Sequence, residues 1–167
     1  MKLSKAERDA NHKFTTPEME LALSKHFNIR RNIIVPNVSY ALFNHETDLL
    51  VLTNAGYATE IEIKVSAWDL KKDKKKRHKH NSKLIHKLFF AIPYYLKNYI
   101  EDIPSKAGIL LVHPPYRKRY YIECLRGPEL NKSPKWTAEQ RYELVRLSTM
   151  RVWFLKEKIY NLLRNSR

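Results

Sequence analysis

Three side chains in the middle of the chain have the types and spacing that metal-dependent cleavage of a phosphodiester requires. Asp48 opens an aliphatic stretch, while Glu62 and Lys64 stand two residues apart in a second, alternating stretch. Hard divalent cations take carboxylate oxygens as ligands, and a lysine beside them can help to neutralise the charge that develops during reaction. Asp48, Glu62 and Lys64 are therefore the candidate catalytic residues.

The residues between the two stretches predict a hairpin that brings the two acids together. Asn54-Ala55-Gly56 follows the first stretch, and a three-residue loop with glycine at its last, left-handed position is a recognised hairpin connection. If this loop closes a Thr53–Tyr57 pair, five further steps place Asp48 directly opposite Glu62. Cross-strand partners have Cβ atoms roughly 4.5–5.5 Å apart, which is close enough for two carboxylates to share one ion.

Alternation along the second stretch places Glu60, Glu62 and Lys64 on one face and the intervening aliphatic residues on the other. We expect the aliphatic face to line the core and the polar face to be open for chemistry. The plainer alternative is a solvated face with a cross-strand ion pair. Two facing carboxylates repel and raise one pKa unless a cation lies between them, and this cost favours a metal site.

Length and composition indicate a single domain that can bury a core. The chain has 167 residues, of which 43% are hydrophobic and only three are glycine. It has no apolar run as long as a membrane span, and its first residues are too polar for a signal peptide. One cysteine, Cys124, excludes an intramolecular disulfide, and we expect a buried thiol in a reducing cytoplasm.

The charge balance predicts a polyanionic partner. Lysine and arginine outnumber the acids 32 to 17, and the formal net charge is +15. Nucleic acid is favoured over a membrane surface because the basic run lacks an interleaved apolar face. The candidate contacts to the nucleic-acid backbone are Lys71, Lys72, Lys75 and Arg77. Tyrosines near other basic residues suit single-stranded or distorted nucleic acid, and they equally suit an ordinary amphipathic surface. We expect Trp68 to pack beneath the helix that follows the second stretch.

Capping signals and apolar runs predict a helix, a group of strands, a second helix and further strands, which is a mixed α/β sandwich. Thr15 caps a first helix that extends to Phe27, and a capping box at Thr137 opens a long last helix. The runs 87–92 and 107–112 suit buried strands. The last helix carries an apolar stripe, formed by Tyr142, Val145, Val152, Ile159 and Leu163.

We divide the chain into three parts on these grounds. Residues 1–14 form a flexible basic arm, residues 15–125 form the core, and residues 126–167 form a loop and a C-terminal helix packed on the same domain.

The order of elements and the hairpin acids resemble the PD-(D/E)XK nuclease superfamily, and more closely the MmcB-type DNA-repair endonucleases with their phage-encoded relatives. The matching stretches are HETDLLVL, GYATEIEIKVSAWDLKKDKKK, KLFFAIP and IPSKAGILLV. The resemblance implies a restriction-endonuclease-like αβββαβ core with a mixed central sheet, and the long C-terminal helix lies outside that core. It also implies a Mg²⁺- or Mn²⁺-dependent DNA endonuclease that acts in repair or recombination in the cytoplasm of a bacterial or phage-infected cell.

The resemblance assigns roles to single residues. Asp48 and Glu62 match the two metal-ligating acids, and Lys64 matches the lysine that orients and polarises the attacking water. Many superfamily members add a glutamate from the first helix, and we prefer Glu20 because Glu18 has a competing role in the capping box with Thr15. Thr47 stands where the superfamily is named for a proline, a position that is often substituted.

Two alternatives to a simple endonuclease remain open. The chain could be a non-catalytic nucleic-acid-binding module on the same fold, although carboxylates that face DNA bring no benefit to a pure binder. It could also be a dimeric resolvase of Holliday-junction type, with the long C-terminal helix as the dimer interface. DNA, including branched or single-stranded DNA, is the expected partner in each case, and no membrane is involved.

Overall fold

A six-stranded mixed sheet forms the centre of the structure. The computed structural model describes residues 12–38, 45–74 and 82–165. The strands follow one another across the sheet in chain order. The first and second pairs of neighbouring strands are antiparallel, the third and fourth pairs are parallel, and the fifth pair is antiparallel. They are β1 (Ile33–Val38), β2 (Thr47–Leu52), β3 (Ala58–Ile63), β4 (Ile85–Pro93), β5 (Gly108–Tyr116) and β6 (Arg119–Arg126). The predicted mixed α/β class is confirmed.

Helices begin where the sequence places its capping residues. The helices are α1 (Thr16–His26), α2 (Ala67–Lys74), a 3₁₀ helix (Tyr94–Asp102) and α3 (Ala138–Asn165). Thr15 accepts a hydrogen bond from the backbone N–H of Glu18 at 3.3 Å, and Thr137 and Gln140 form a reciprocal capping box at 2.9 and 3.2 Å. The chain segments containing α2 and the 3₁₀ helix make the crossovers that the parallel pairs β3–β4 and β4–β5 require.

Apolar side chains cover both faces of the sheet. On one face, α1 buries Met19 and Leu23 against a cluster that includes Leu49 and Ile61. Phe14, the last residue of the predicted arm, belongs to the same cluster and is only 5% exposed, so this residue packs on the core. Burying a side chain of this size contributes about 1.5–3 kcal/mol. Most of the arm, residues 1–11, lies outside the described part of the chain.

The opposite face is covered by two separate groups of residues. Trp136 and Leu144, from the last loop and α3, pack on Leu50 of β2. The second group joins α2 and the 3₁₀ helix to β4 and β5, and it is centred on Phe90. The side chains of β3 on this face, Glu60 and Glu62, lie between the two groups and are buried.

Three sequence predictions about packing are corrected by this arrangement. The predicted apolar stripe of α3 is exposed along its whole length, and Leu144, with help from Leu147, makes the core contact instead. The last region therefore packs on the domain through its loop, which includes Trp136, and through the first part of α3. Cys124 is exposed because it lies on the edge strand β6. Among the described helices, none is long and apolar enough to cross a membrane.

Gly108 offers a direct test of the packing at the start of β5. A Cβ at this position would lie 2.5 Å from two ring atoms of Phe89 and 3.0 Å from the backbone nitrogen of Pro128. We expect Gly108→Ala to lower the free energy of unfolding by about 1–3 kcal/mol, because the ring would have to shift. Urea denaturation measures this difference.

Gly127→Ala is the matched control. A Cβ there meets no described atom within 4 Å, so we expect a change within about 0.5 kcal/mol. Equal stabilities of the two variants would contradict the close approach of Phe89 to Gly108.

Candidate active site

The β2–β3 hairpin places the two candidate acids opposite each other. Leu49 pairs with Ile61, so the next step of the same register sets Asp48 opposite Glu62. The backbone N–H of Thr53 donates to the carbonyl of Tyr57 at 3.1 Å, and Gly56 has the left-handed φ of +89° that the loop requires. The predicted register is confirmed.

Lys64 joins the two carboxylates. Its Nζ donates to Oε2 of Glu62 at 2.6 Å and to Oδ2 of Asp48 at 3.4 Å. The same Asp48 oxygen also accepts the backbone N–H of Ile63 at 2.8 Å, which fixes the carboxylate against the end of β3. The ammonium supplies the positive charge that two facing carboxylates require. We call Asp48, Glu62 and Lys64 the charged triad.

The triad is largely enclosed, so the expectation of an open polar face is wrong. Glu62 is 1% exposed and Lys64 8% exposed, whereas the side chain of Asp48 retains 31% exposure. Glu60 is fully buried, and its Oε1 lies 2.7 Å from Nε2 of His45. Electrostatic interactions are strengthened in such surroundings because few water molecules screen them. Asp48 is the side of the triad that a substrate or ion can reach.

Glu20 lies within the electrostatic neighbourhood of the triad. Burial, and after it the charge of Asp48, raises the pKa of Glu20 above its ordinary value, while a hydrogen bond with Asn37 and the charge of Arg151 act in the opposite direction. Glu18 is occupied elsewhere. Its Oε1 lies 2.9 Å from Nε2 of His12 and accepts the Tyr120 hydroxyl at 3.0 Å.

Glu20 therefore remains the candidate for a third acid from α1, although it does not converge with Asp48 and Glu62 into a group of three ligands within the described residues. The contacts of Glu18 correct its assignment, because its carboxylate bonds to His12 and Tyr120 in place of closing a capping box with Thr15.

The donor set suits a hard divalent cation. Mg²⁺ is commonly held by one or two carboxylates and retains several of its water molecules, so Asp48 and Glu62 are sufficient protein ligands. Within residues 12–38, 45–74 and 82–165, no three acids, histidines or cysteines converge as a complete metal cage. The ammonium of Lys64 lies between the two carboxylates, so an ion bound to both would require Lys64 to withdraw.

A basic and aromatic surface lies beside the triad on α2. Lys71 and Lys72 are exposed, with their Nζ atoms 5.6 Å from the ring centre of Tyr99 and 4.8 Å from that of Trp68. Trp68 is 67% exposed, so the expectation that it packs beneath the helix is wrong. The other two predicted DNA contacts, Lys75 and Arg77, lie outside the described residues.

Four aromatic rings continue from this region across the carboxyl ends of the parallel strands. The hydroxyl of Tyr95 donates to the carbonyl of Val65, the residue after Lys64, at 3.2 Å. The ring centres of Tyr94 and Tyr95 are 5.8 Å apart, those of Tyr94 and His113 are 5.7 Å apart, and those of His113 and Tyr121 are 5.2 Å apart. We call these four residues the aromatic row.

His113 was not identified from the sequence. The alternation of β5 could have identified it, because Ile109, Leu111 and His113 lie on one face. Ile109 pairs with Phe90, and Phe90 pairs with Glu62, so this is the face of the sheet that carries the triad. The sequence analysis also missed Asn37 and Arg151, which approach Glu20 from distant parts of the chain. No local pattern connects residues so far apart.

Comparisons with known proteins identify a shared fold and no function. No family model matches the chain, and no curated protein matches it. A solved structure, the SPO1766 protein of unknown function from Silicibacter pomeroyi, matches with a TM-score of 0.59 and 17% sequence identity. The match covers 83% of this chain and 86% of that one.

Metal binding can be tested independently of any activity. Ions that bind only the folded protein stabilise it, by about 2.7 kcal/mol at 100 times the dissociation constant. We expect Mg²⁺ or Mn²⁺ to raise the melting temperature of the wild type and to have a much smaller effect on Asp48→Asn, which lacks one charged ligand. Differential scanning fluorimetry measures both shifts.

The control is Glu101→Gln, which removes an exposed carboxylate from the 3₁₀ helix. It should keep the full metal-dependent shift. An equal shift in Asp48→Asn, or none in the wild type, would show that the triad does not bind the ion.

Proposed function

We propose that this protein is a metal-dependent DNA endonuclease with a restriction-endonuclease-like core, acting in the cytoplasm in DNA repair or recombination. The observation that carries the proposal is the charged triad, in which Asp48 and Glu62 face each other in register and Lys64 contacts both. The order α1, β1, β2, β3, α2, β4, with an antiparallel hairpin followed by a parallel crossover, supports the same proposal.

Each member of the triad has a separate task in this proposal. Asp48, fixed by the N–H of Ile63 and partly exposed, presents oxygen atoms toward an incoming phosphodiester. Glu62 provides a second, buried carboxylate. A bound Mg²⁺ or Mn²⁺ ion would supply positive charge to the reacting phosphate and a source of ordered water. Glu20 is the candidate for a third ligand from α1.

Lys64 would be released from Asp48 and Glu62 if a divalent cation neutralised the two carboxylates. Its ammonium can then donate hydrogen bonds to the attacking water or to a non-bridging phosphate oxygen, where negative charge increases as the water attacks phosphorus. As the water oxygen bonds to phosphorus and loses a proton to solvent, the bond from phosphorus to the leaving oxygen breaks and that oxygen takes up a proton from solvent. The enclosure of Glu62 and Lys64 makes these charges more effective than they would be in water.

Positive charge and aromatic rings near the triad support DNA as the substrate. Lys71 and Lys72 are exposed on α2, the helix that follows β3. Tyr95 of the aromatic row is hydrogen-bonded to the carbonyl of Val65, which directly follows Lys64. Phosphate contacts supply affinity without sequence preference. Aromatic side chains can stack on unpaired bases, which favours branched or single-stranded DNA.

One observation favours a second candidate, a nucleic-acid-binding module that does not cut. Lys64 already compensates the charges of Asp48 and Glu62, so the triad can exist as an ionic cross-link between β2 and the end of β3 without any metal. Only the endonuclease should cleave DNA. Cleavage assays with a variant that keeps the shape of a triad side chain but removes its charge therefore distinguish the two candidates.

Asp48→Asn is the variant that tests catalysis. Asparagine has nearly the same shape and can still accept the N–H of Ile63, but it lacks the negative charge. We expect cleavage of labelled DNA in Mg²⁺ or Mn²⁺ to fall by about 100-fold or more, and EDTA to abolish the wild-type reaction. Assays should cover single-stranded, duplex, flapped and four-way-junction substrates.

Glu101→Gln again serves as the control and should cut as the wild type does. Wild-type binding to all four DNA substrates without any cleavage would support the binding module. Undiminished cleavage by Asp48→Asn would remove the triad from the mechanism.

Lys71 and Lys72 should contribute to DNA affinity through phosphate contacts. We expect the double variant Lys71→Ala, Lys72→Ala to bind more weakly on every substrate and to lose about 1.8 from the slope of log affinity against log salt, at about 0.9 per contact. Fluorescence anisotropy over a range of salt concentrations measures this slope. Lys106→Ala, at the opposite end of the sheet, should leave the slope unchanged, and an equal loss there would indicate non-specific attraction.

A further inference from the structure

The second half of α3 exposes many large apolar side chains. Every residue from 152 to 165 is exposed, although the helix continues to Asn165. We call residues 152–165 the projecting segment. Its exposed apolar side chains are Val152, Trp153, Phe154, Leu155, Ile159, Tyr160, Leu162 and Leu163. A patch of this kind marks an interaction site, and a lone helix of this length is only marginally stable in water.

The apolar residues of α3 include a heptad pattern. Val145, Val152 and Ile159 are spaced seven residues apart, and Leu155 and Leu162 follow the last two by three residues. This is the pattern of a coiled coil, with β-branched residues at position a and leucine at position d. Each of the five side chains is between 44% and 59% exposed. We call these five residues the seam.

The residue types and spacing of the seam favour a second copy of this chain as its binding partner. In parallel coiled coils, β-branched residues at position a and leucine at position d favour two strands. A second copy of this chain carries the same seam at the same spacing, so two copies fit each other without a shift in register. An unrelated acidic helix would be recognised through charged residues beside the seam. A second copy of α3 is recognised by the apolar heptad pattern of the seam itself.

We propose that the protein is a homodimer in which two α3 helices pair in parallel along the seam. This inference is independent of the proposed nuclease function. Because the helices run in the same direction, both domains lie at the same end of the pair. An antiparallel arrangement would separate the domains by the length of the projecting segment, about 20 Å at 1.5 Å per residue.

The side chains around the seam are compatible with this arrangement. Arg151, which would flank the seam, donates a hydrogen bond to the carbonyl of Asn37 and is directed toward its own domain. Lys156 lies with its Nζ 4.9 Å from the ring centre of Trp153, which is outside the seam. The pairing therefore depends on apolar burial and not on charge attraction.

Oligomeric mass provides the test, with two matched double variants of the full-length protein. Light scattering after size exclusion should give twice the chain mass of 20.0 kDa for the wild type. Leu155→Lys, Ile159→Lys places charges in the seam and should raise the dissociation constant by about 100-fold or more. Trp153→Lys, Tyr160→Lys places the same charges on the same segment outside the seam and should remain a dimer.

Cross-linking tests the direction of the helices. In a Cys124→Ser background, Leu162→Cys should form a disulfide between the two copies, because parallel pairing places identical positions side by side. Circular dichroism should show that each variant remains folded, because the projecting segment is exposed.

A monomeric wild type at all concentrations would overturn the proposal, as would a monomer that binds vesicles of anionic phospholipid through this segment. Loss of the dimer in Trp153→Lys, Tyr160→Lys but not in Leu155→Lys, Ile159→Lys would reject the seam. A dimer without the disulfide at position 162 would reject the parallel direction.

Discussion

The ammonium of Lys64 between the carboxylates of Asp48 and Glu62 is the interaction on which the rest of the structure depends. Its contacts of 2.6 and 3.4 Å exist because the hairpin register sets the two acids opposite each other. The backbone N–H of Lys64 also donates to Ala91 at 3.1 Å, so the pairing of β3 with β4 continues one residue past the strand and holds the lysine there. A slip of one residue in the hairpin would turn Asp48 toward the apolar face beneath α1, leaving the lysine with one partner.

Burial makes the triad an expensive way to hold two strands together. Replacing a buried ionic group with apolar residues of similar volume often leaves a protein equally or more stable, whereas removing one partner leaves a buried charge uncompensated. The stability of the fold therefore does not explain why three charges lie where Glu62 is 1% exposed. The proposed role in binding an ion or a phosphate would explain it. The same reasoning shows why substitution of Lys64 is a poor test of chemistry. It would leave Asp48 and Glu62 facing each other and would combine a loss of stability with any loss of activity.

The sequence predicted the features that are encoded locally. The loop Asn54-Ala55-Gly56 contains enough information to count the register, and the caps at Thr15 and Thr137 mark where two helices begin, because turn and cap chemistry acts over a few residues. Burial was predicted less well, because it depends on segments that are distant in sequence. The polar face of β3 was expected to be open, yet Trp136, about 75 residues later in the chain, helps to cover that side of the sheet. Alternation shows that two residues share a face, but it does not show what lies above that face.

The position of α3 relative to the triad depends on a few polar contacts near the point where the helix leaves the domain. Arg151 is the last residue of the helix that is not exposed, and it bonds to the carbonyl of Asn37. Asn37 has a left-handed φ of 49°, which asparagine tolerates better than most residues, and its side chain acts to lower the pKa of Glu20. Glu20 in turn lies close enough to Asp48 for their charges to interact. In the proposed dimer, the helix that carries the projecting segment is also the helix whose Arg151 contacts Asn37, and both residues act on the pKa of Glu20. Pairing of two copies would therefore act close to the acid that α1 brings toward the triad.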